Sequence, residues 1–215
     1  KGIIKMNKLT TTFILIMLGT SANAEGFNYD YAQVGIGTSN YKSYDKEYYV
    51  EASKSINNNI AVIGGLGYTY GDWNDPGEYE EQRTNSYYLE GVYHKDITPT
   101  TDLVASAQYV RFDLRRSCTP TSGSCGVYSD STPSYDFYIA NLGARHKVTD
   151  DIEVEGQYKY IKRDGGNVIN RQAKLDLVKA VTKTISVGAE YTWDLNKAAV
   201  NVKVNHYGVF VRRSF

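Results

Sequence analysis

Ten segments of the chain alternate apolar and polar residues with a period of two, which is the pattern of β-strands that have one apolar face. In the first of them, Ala32, Val34 and Ile36 lie on one face and Gln33 lies on the other. The predicted strands occupy residues 28–38, 48–53, 60–70, 87–94, 102–114, 138–145, 152–160, 169–177, 185–193 and 198–215. The pattern therefore predicts an all-β fold.

The last segment, residues 198–215, needs a partner on both of its edges. Its apolar residues fall on even numbers up to Val204 and on odd numbers from Tyr207, so the phase slips by one residue and predicts a β-bulge near His206. An unpaired strand would leave the edge of the sheet open to other chains. We therefore expect this segment to pair with the first strand and to close the sheet into a barrel.

The fifth predicted strand, residues 102–114, is ambiguous in phase. Its two candidate outward-facing sets are Leu103, Ala105, Ala107 and Tyr109, or Val104, Val110 and Phe112. We favour the first set because it leaves the polar residues Ser106 and Gln108 on the inward face.

The connections between the strands differ in length on the two sides of the predicted barrel. Short turns are expected near residues 57–59, 95–101, 149–151 and 181–183, and two long polar loops are expected on the opposite side, at residues 71–85 and 115–134. Barrels that span a membrane combine short turns at one rim with longer loops at the other.

Residues 1–24 match a secretory signal peptide. Lys1, Lys5 and Lys8 precede an apolar run, and Ala22 and Ala24 supply the small residues of a cleavage site. The run is too short to cross a bilayer as a helix, which takes about 20 residues. We therefore expect residues 25–215 to form the exported domain.

The charge of this exported domain argues against a nucleic-acid partner. Removing residues 1–24 takes away three Lys and no acid, so 21 Lys and Arg remain against 24 Asp and Glu, a net charge near −3 (21 − 24). A nucleic-acid-binding domain would carry a basic surface.

The cleavage motif at Ala22 and Ala24, the alternating strands and the ending on Val209, Val211 and Phe215 together show a resemblance to a known family. The chain resembles the small outer-membrane β-barrel proteins of Gram-negative bacteria, the group of OmpA-type and OmpX-type barrels.

This resemblance implies a closed, antiparallel, up-and-down transmembrane β-barrel, and the alternating segments predict ten strands, with eight strands as the alternative. It implies a location in the outer membrane, contact with membrane lipid and lipopolysaccharide, and recognition by the barrel-assembly machinery through Tyr207, Val209, Val211 and Phe215. Arg213 departs from the family's pattern, because that position is more often apolar or aromatic. We expect a monomer.

The histidines do not form a catalytic set by their spacing. His94 and His146 lie next to turns, and His206 is followed by Tyr207 and Gly208, without the His-x-Ser spacing of lipid A deacylase-like barrels. Metal-ligand and phosphate-loop spacings are also missing from the sequence. We therefore predict that the protein is not an enzyme and needs no cofactor.

The inward faces of the strands carry most of the polar chemistry. The predicted lumen-facing polar residues are Glu51, Glu90, His94, Gln108, Arg145, Glu153, Glu155, Lys159, Lys174, Asp176 and Glu190. An isolated charge inside a narrow barrel costs several kcal/mol, so these groups must pair with one another or be hydrated.

Three interpretations of function follow. If the charges pair across strands, they occlude the lumen of a passive structural or surface barrel. If water fills the lumen, the acid excess makes a weakly cation-preferring porin. About eight strands give an interior that side chains fill and about 16–18 leave a channel, so ten strands favour occlusion, which we predict. The third interpretation is an adhesin or receptor that acts through its extracellular loops.

Cys118 and Cys125 lie together in the predicted loop at residues 115–134. An exported chain meets the oxidising periplasm before insertion, which favours pairing of its cysteines. Pro120 and Gly123 favour a turn between the two cysteines. We predict a Cys118–Cys125 disulfide.

Overall fold

The computed structural model of the protein describes residues 27–40, 46–75, 78–120, 132–166, 169–195 and 204–215, with the backbone alone at residues 73–75, 78, 120 and 169. The described residues form ten strands, which are β1 Tyr31–Ser39, β2 Lys46–Asn57, β3 Ile60–Asp75, β4 Glu78–Thr98, β5 Thr101–Pro120, β6 Ser134–Lys147, β7 Ile152–Arg163, β8 Ile169–Ala180, β9 Ile185–Asp194 and β10 His206–Ser214. Over the same residues, no helix has the length and apolar character needed to cross a membrane.

The sheet closes on itself. Each strand pairs antiparallel with the next strand along the chain, and β1 also pairs with β10. Val34 of β1, for example, lies opposite Val211 of β10, and Gln33 lies opposite Arg212. Closure gives every strand two neighbours and removes the open edges of the sheet. The structure confirms the predicted ten-stranded, up-and-down barrel over the eight-stranded alternative.

The two ends of the barrel differ in their connections. At one end, which we call the turn end, connections of two to four residues follow β2, β4, β6 and β8. Phe215 and the residues that precede β1 meet there as well, because the Phe215 backbone N–H donates to the Asp30 carbonyl (3.0 Å). We call the opposite end the hairpin end. The four turns were predicted, although the second is tighter than expected because β4 continues to Thr98.

Three neighbouring strands, β3, β4 and β5, are longer than the others and project at the hairpin end. They contain 16, 21 and 20 residues, whereas about 9–11 residues cross a bilayer. The predicted loop at residues 71–85 is therefore wrong, since Gly71 pairs with Gln82 and Asp75 pairs with Glu78. A strand outside the membrane needs no apolar face, so the alternation disappears while the backbone pairing continues.

The predicted loop at residues 115–134 is also too long, because β5 continues to Pro120. Cys118 lies in β5 opposite Glu80, whereas Cys125 lies outside the described residues, so the Cys118–Cys125 disulfide stays a prediction. The signal peptide predicted at residues 1–24 lies outside the described residues too.

The last strand is shorter than the predicted segment. Residues 198–203 lie outside the described part of the chain, and β10 begins only at His206. From His206 onward, β10 keeps a continuous register with β1 and with β9. The predicted phase slip thus coincides with the first residue of the strand, and the described strand contains no bulge.

The outward face of the barrel is apolar. Its exposed side chains include Val34, Val50, Leu66, Leu89, Leu142, Leu175, Val187 and Val209, together with the tyrosines Tyr48, Tyr68, Tyr87, Tyr138, Tyr158 and Tyr191. In β5, Leu103 and Tyr109 are exposed, whereas Val104 and Val110 are buried. The phase favoured for this strand is therefore confirmed.

Three inward-facing glycines make room for aromatic rings from the neighbouring strand. The pairs are Gly35 with Tyr49, Gly65 with Tyr88, and Gly188 with Phe210. A Cβ atom added at any of these glycines would overlap the ring opposite. The absence of a side chain at these positions is thus what lets the rings lie flat against the inner wall.

Replacing Gly188 with alanine should destabilise the barrel by about 1–3 kcal/mol, because the Phe210 ring must move within a packed interior. Gly156 is the matched control, since it faces outward on β7 with no atom within 4 Å of an added Cβ. Gly156→Ala should be neutral or stabilise slightly, because alanine loses less backbone entropy. Urea unfolding in phospholipid vesicles measures both effects, and equal effects of the two substitutions would contradict the packing argument.

Candidate functional site: the barrel interior

The interior of the barrel contains a cavity of about 630 Å³ that reaches from Tyr29 near the turn end to Leu114 and Asp194 near the hairpin end. Nine of the predicted lumen-facing residues line it, namely Glu51, Glu90, Gln108, Arg145, Glu155, Lys159, Lys174, Asp176 and Glu190. The other two lie closer to the turn end, where Glu153 contacts Arg145 and His94 contacts Asp102.

Residues 27–30, which precede β1, fold into the turn end of the barrel, and we call them the plug segment. Phe27 and Tyr29 are buried there and pack against the inward apolar side chains of the wall. These wall residues are Ala61, Ile63, Val92 and Val104, with Tyr88 at the edge of the cluster. The turn end is therefore filled by a small apolar core.

A polar cluster fixes the position of Tyr29 in this core. Its hydroxyl donates to Asp102 Oδ2 (2.7 Å), and Asp102 is fully buried. The same carboxylate oxygen lies 3.4 Å from His94 Nδ1. The rings of Tyr29 and His94 stack with 3.8 Å between their centroids. Sequence analysis placed His94 on the inward face but did not identify its partners.

Arg145 joins the plug segment to the barrel wall. Its Nη2 and Nε atoms lie 2.7 and 2.8 Å from Glu153 Oε1, and Nε lies 3.8 Å from Glu155 Oε2. The guanidinium carbon also lies 4.8 and 4.5 Å from the ring centroids of Phe27 and Tyr29. The buried Arg145 side chain thus contacts two carboxylates and two aromatic rings.

Lys174, on β8, pairs with two other carboxylates of the cavity wall. Its Nζ lies 3.0 Å from Asp176 Oδ2 and 3.0 Å from Glu190 Oε2. Asp176 stands between Glu155 and Glu190 in the register of β7, β8 and β9, so three carboxylates occupy neighbouring positions. Arg145 offsets the repulsion at Glu155, and Lys174 offsets it between Asp176 and Glu190.

Two further carboxylates accept hydrogen bonds from hydroxyl and amide groups. Glu51 accepts the hydroxyls of Tyr31 (2.8 Å) and Tyr88. Glu90 accepts the Ser106 hydroxyl and the Asn141 amide (3.0 Å). These bonds satisfy the two carboxylates without a cation.

Two cations of the cavity differ in their partners. Lys159 has no ion pair within 4 Å among the described residues. Arg212, which sequence analysis did not single out, donates from Nε to Gln33 Oε1 (2.8 Å) and lies 4.2 Å from the Tyr31 ring centroid. Gln33 lies opposite Arg212 in the β1–β10 register, so this bond also helps to close the barrel.

Part of the cavity wall is apolar, which sequence analysis did not predict. Its inward residues on β5, β6 and β7 are Val110, Phe112, Leu114, Phe137, Ile139 and Ile161, and we call them the apolar wall. The ambiguous phase of residues 102–114 was the signal for it, because a strand with apolar residues on both faces gives no clear alternation.

Asp30 ties the plug segment to the rim of the turn end. Its Oδ2 accepts Lys54 Nζ (2.7 Å), and its Oδ1 accepts the Ser55 backbone N–H (2.6 Å). Burial alone would raise the pKa of the Asp30 carboxyl, but the hydrogen bonds from Lys54 and Ser55 outweigh it, so the pKa is lowered from its ordinary value. The ionised form is therefore the one that the fold stabilises.

Replacing Asp30 with asparagine should destabilise the protein by about 1–2 kcal/mol at pH 7, because the charged hydrogen bonds are lost. Since the pKa of Asp30 is lowered by folding, its contribution is complete above the unfolded value of about 3.9 and is lost as the pH falls through the folded value. The difference between wild type and variant should therefore shrink below about pH 4. Urea unfolding at pH 7 and pH 3 measures this.

The matched control for this substitution is Asp151→Asn. Asp151 lies in an exposed turn, where the Thr149 hydroxyl donates to it (2.6 Å) and lowers the pKa of its carboxyl. Its removal should change stability little, because the group is solvated. A pH-independent effect of Asp30→Asn would contradict the role given to the carboxylate.

The three histidines do not come together in the barrel. His94 lies in the plug core, His146 contacts the Thr101 hydroxyl (3.0 Å), and His206 Nδ1 lies 3.9 Å from Glu47 Oε2. Among the described residues, no group of three or more His, Cys, Asp or Glu side chains is arranged to hold a metal ion.

Comparison with known proteins gives matches at the level of structure alone. No protein-family model and no curated protein sequence matches the chain. The NanC porin matches with a TM-score of 0.52 at 11% identity, over 86% of this chain and 100% of that one. The KdgM porin in complex with disordered oligogalacturonate matches with a TM-score of 0.50 at 12% identity, over 86% and 99%.

The chain has the fold of an outer-membrane β-barrel protein. A third solved structure, the outer-membrane protease OmpT from Escherichia coli, matches with a TM-score of 0.48 at 13% identity, over 93% of this chain and 100% of that one. The resemblance expected from the sequence, to the small outer-membrane barrels of Gram-negative bacteria, is confirmed for the fold. Identities this low carry no activity from any of these proteins to this chain.

Proposed function

We propose that the protein is a passive barrel of the outer membrane whose lumen is occluded at the turn end. The observation that carries the proposal is the plug segment, in which Phe27 and Tyr29 are buried in the lumen and lie beside Arg145. An ion crossing this apolar core would lose its hydration, at a cost of many kcal/mol. The apolar outward face supports a position in a bilayer, because barrel strands that contact lipid expose apolar residues there.

Insertion into a bilayer is tested by refolding the protein into phospholipid vesicles. Folded transmembrane barrels resist SDS until they are heated, so the unboiled sample should migrate apart from the boiled sample on a gel. Identical migration, together with a sheet-poor circular dichroism spectrum, would contradict the proposed insertion.

Occlusion is tested by the conductance of single barrels in a planar bilayer. The wild-type protein should show no steady unitary current, whereas Phe27→Ala/Tyr29→Ala should show discrete openings because it empties the turn end. Val148→Ala/Val181→Ala is the matched control, since it truncates two exposed turn residues at the same end and should stay silent. Steady conductance of the wild-type barrel would overturn the proposal.

A small cation-preferring porin is the second candidate, and the charge of the cavity favours it. Seven carboxylates line the cavity against four Lys and Arg side chains. A negative lumen attracts cations, and it fits poorly with a polyanion such as the oligogalacturonate of the KdgM complex. Under this alternative, the wild-type current should be larger for cations and should fall when Glu190 is neutralised.

Recognition at the cell surface is the third candidate, and the projecting strands β3, β4 and β5 favour it. Their outward side chains at the hairpin end carry both charges and tyrosines, such as Tyr79, whose hydroxyl donates to Asp72 (2.9 Å). Loss of cell or matrix binding upon deletion of residues 71–85, with the barrel still heat-modifiable, would support this candidate.

A further inference from the structure

The apolar wall lies across the cavity from polar side chains, which include Glu47 and His206. Within the apolar wall, Phe112 and Phe137 pack edge to face with 5.3 Å between their centroids, and Ile161 lies on the adjacent strand. In the ring of ten strands β6 lies across from β1, so these side chains are opposite Glu47 of β2 and His206 of β10. A cavity with one apolar side and one polar side suits a molecule of the same character.

The lining of the cavity as a whole has an excess of negative charge. Its seven carboxylates and four Lys and Arg side chains differ by −3 (4 − 7). Lys174 is already shared between two carboxylates. Near the hairpin end, Glu47 and Asp194 have no Lys or Arg within 4 Å among the described residues, and the basic group near Glu47 is the His206 imidazole at 3.9 Å.

Two carboxylate oxygens in the cavity wall have no hydrogen-bond donor among the described residues. Asp176 Oδ1 and Asp194 Oδ1 are both buried and have no hydrogen-bond partner among the described residues. Asp176 as a whole is only 5% exposed. An unsatisfied buried acceptor is unfavourable, and more so when it is charged. A ligand that brings N–H donors and a positive charge would satisfy such atoms.

We propose that this cavity binds an amphipathic organic cation. Its apolar body lies against Phe112, Phe137 and Ile161, and its ammonium group lies toward Glu47 and Asp194. The volume of about 630 Å³ is within the range of roughly 300–1,000 Å³ for small-molecule sites. The inference rests on the proposed function, because the plug segment turns the lumen into a pocket that is closed at the turn end.

Three probes of one shape and different charge test the inference. They are 4-phenylbutylammonium, 4-phenylbutanol and 4-phenylbutyrate, titrated by calorimetry into the full-length barrel in nanodiscs of zwitterionic lipid, with empty nanodiscs subtracted. The ammonium compound should bind about tenfold or more tightly than the alcohol, since it can form a charged hydrogen bond and a factor of ten corresponds to about 1.4 kcal/mol. The carboxylate compound should bind most weakly.

Amino-acid substitutions test which residues form the charged side and which form the apolar side of the site. Glu47→Gln/Asp194→Asn should weaken binding of the ammonium compound about tenfold and leave the alcohol unchanged. Phe137→Ala should weaken both compounds, and Asp151→Asn, which removes an exposed charge at the turn end, should change neither. Heat-modifiable migration shows that each variant has folded.

Equal binding of the three probes, or unchanged ammonium binding to Glu47→Gln/Asp194→Asn, would overturn the inference. The conductance experiment distinguishes absence of the cation site from failure of the proposed function. A barrel that is silent in the bilayer and binds none of the probes contradicts the cation site alone. A barrel that conducts steadily contradicts the closed lumen, and calorimetry still reports on the site.

Discussion

Replacing Arg145 with methionine should lower the free energy of unfolding by about 3–5 kcal/mol, because it leaves buried carboxylates without their cation. The Arg145 side chain is only 4% exposed, and it contacts Glu153 at 2.7 Å and Glu155 at 3.8 Å. Methionine keeps an unbranched apolar stem but removes the charged guanidinium group. The two carboxylates then repel each other in a medium that screens charge poorly.

The same substitution should loosen the plug segment. Arg145 lies beside the rings of Phe27 and Tyr29 at 4.8 and 4.5 Å, and a desolvated cation–π contact contributes about 2 kcal/mol. Hydrogen exchange at residues 27–30 should therefore become faster in Arg145→Met than in the wild type.

Arg111→Met is the matched control for this prediction. Arg111 also lies near two carboxylates, Asp113 at 3.3 Å and Asp136 at 3.7 Å, but its side chain is 47% exposed. An exposed pair contributes little to stability because water and salt screen it. Urea unfolding in vesicles compares the two variants, and equal losses would mean that burial of Arg145 does not set its contribution.

The outward face of the barrel was predictable from the sequence because lipid imposes a period of two on every strand that it contacts. Leu103 and Tyr109 were assigned outward on this basis, and both are exposed. The same constraint gave the number of strands and the positions of the four short turns. The alternation ends where the strands leave the membrane. The strand residues within 71–85 were therefore predicted to form a loop.

The interior was less predictable because two environments share it. Inward positions such as Glu51 and Lys174 were identified by their polarity, and the structure places both in the cavity wall. Phe112 and Ile161 also face inward, but an apolar inward residue resembles an outward one in a sequence. Alternation gives the face of a strand only when the two faces have different chemistry.

The partners within the interior could not be read from the sequence at all. Tyr29 and Asp102 are 73 positions apart in the chain, yet the hydroxyl of one donates to the carboxylate of the other at 2.7 Å. The plug segment adds a second difficulty, because residues 28–30 continue the alternation of β1 and were assigned to that strand. Their burial inside the barrel depends on the rings of Phe27 and Tyr29 finding the apolar side chains at the turn end.

Replacing Lys174 with methionine is the second substitution expected to have a large effect, with a loss of about 3–5 kcal/mol of unfolding free energy. Lys174 lies 3.0 Å from each of Asp176 and Glu190, and Glu155 stands next to Asp176 in the register. Without Lys174, Asp176 and Glu190 have no ion pair within 4 Å among the described residues, since Arg145 is close only to Glu155 of this row. Urea unfolding at pH 7 in vesicles measures the loss.

Lys159→Met provides the comparison that separates pairing from charge alone. Lys159 lines the same cavity and bears the same charge, but it has no ion pair within 4 Å among the described residues. Replacing Lys159 should lower the free energy of unfolding far less than replacing Lys174, because no carboxylate depends on Lys159 for a direct contact.

Lowering the pH toward about 4 should reduce the difference in unfolding free energy between Lys174→Met and wild type, since protonated carboxyls need no cation. A loss that is equal for the two lysines, or that does not respond to pH, would show that the total charge of the lumen matters and that the Asp176–Lys174–Glu190 arrangement does not.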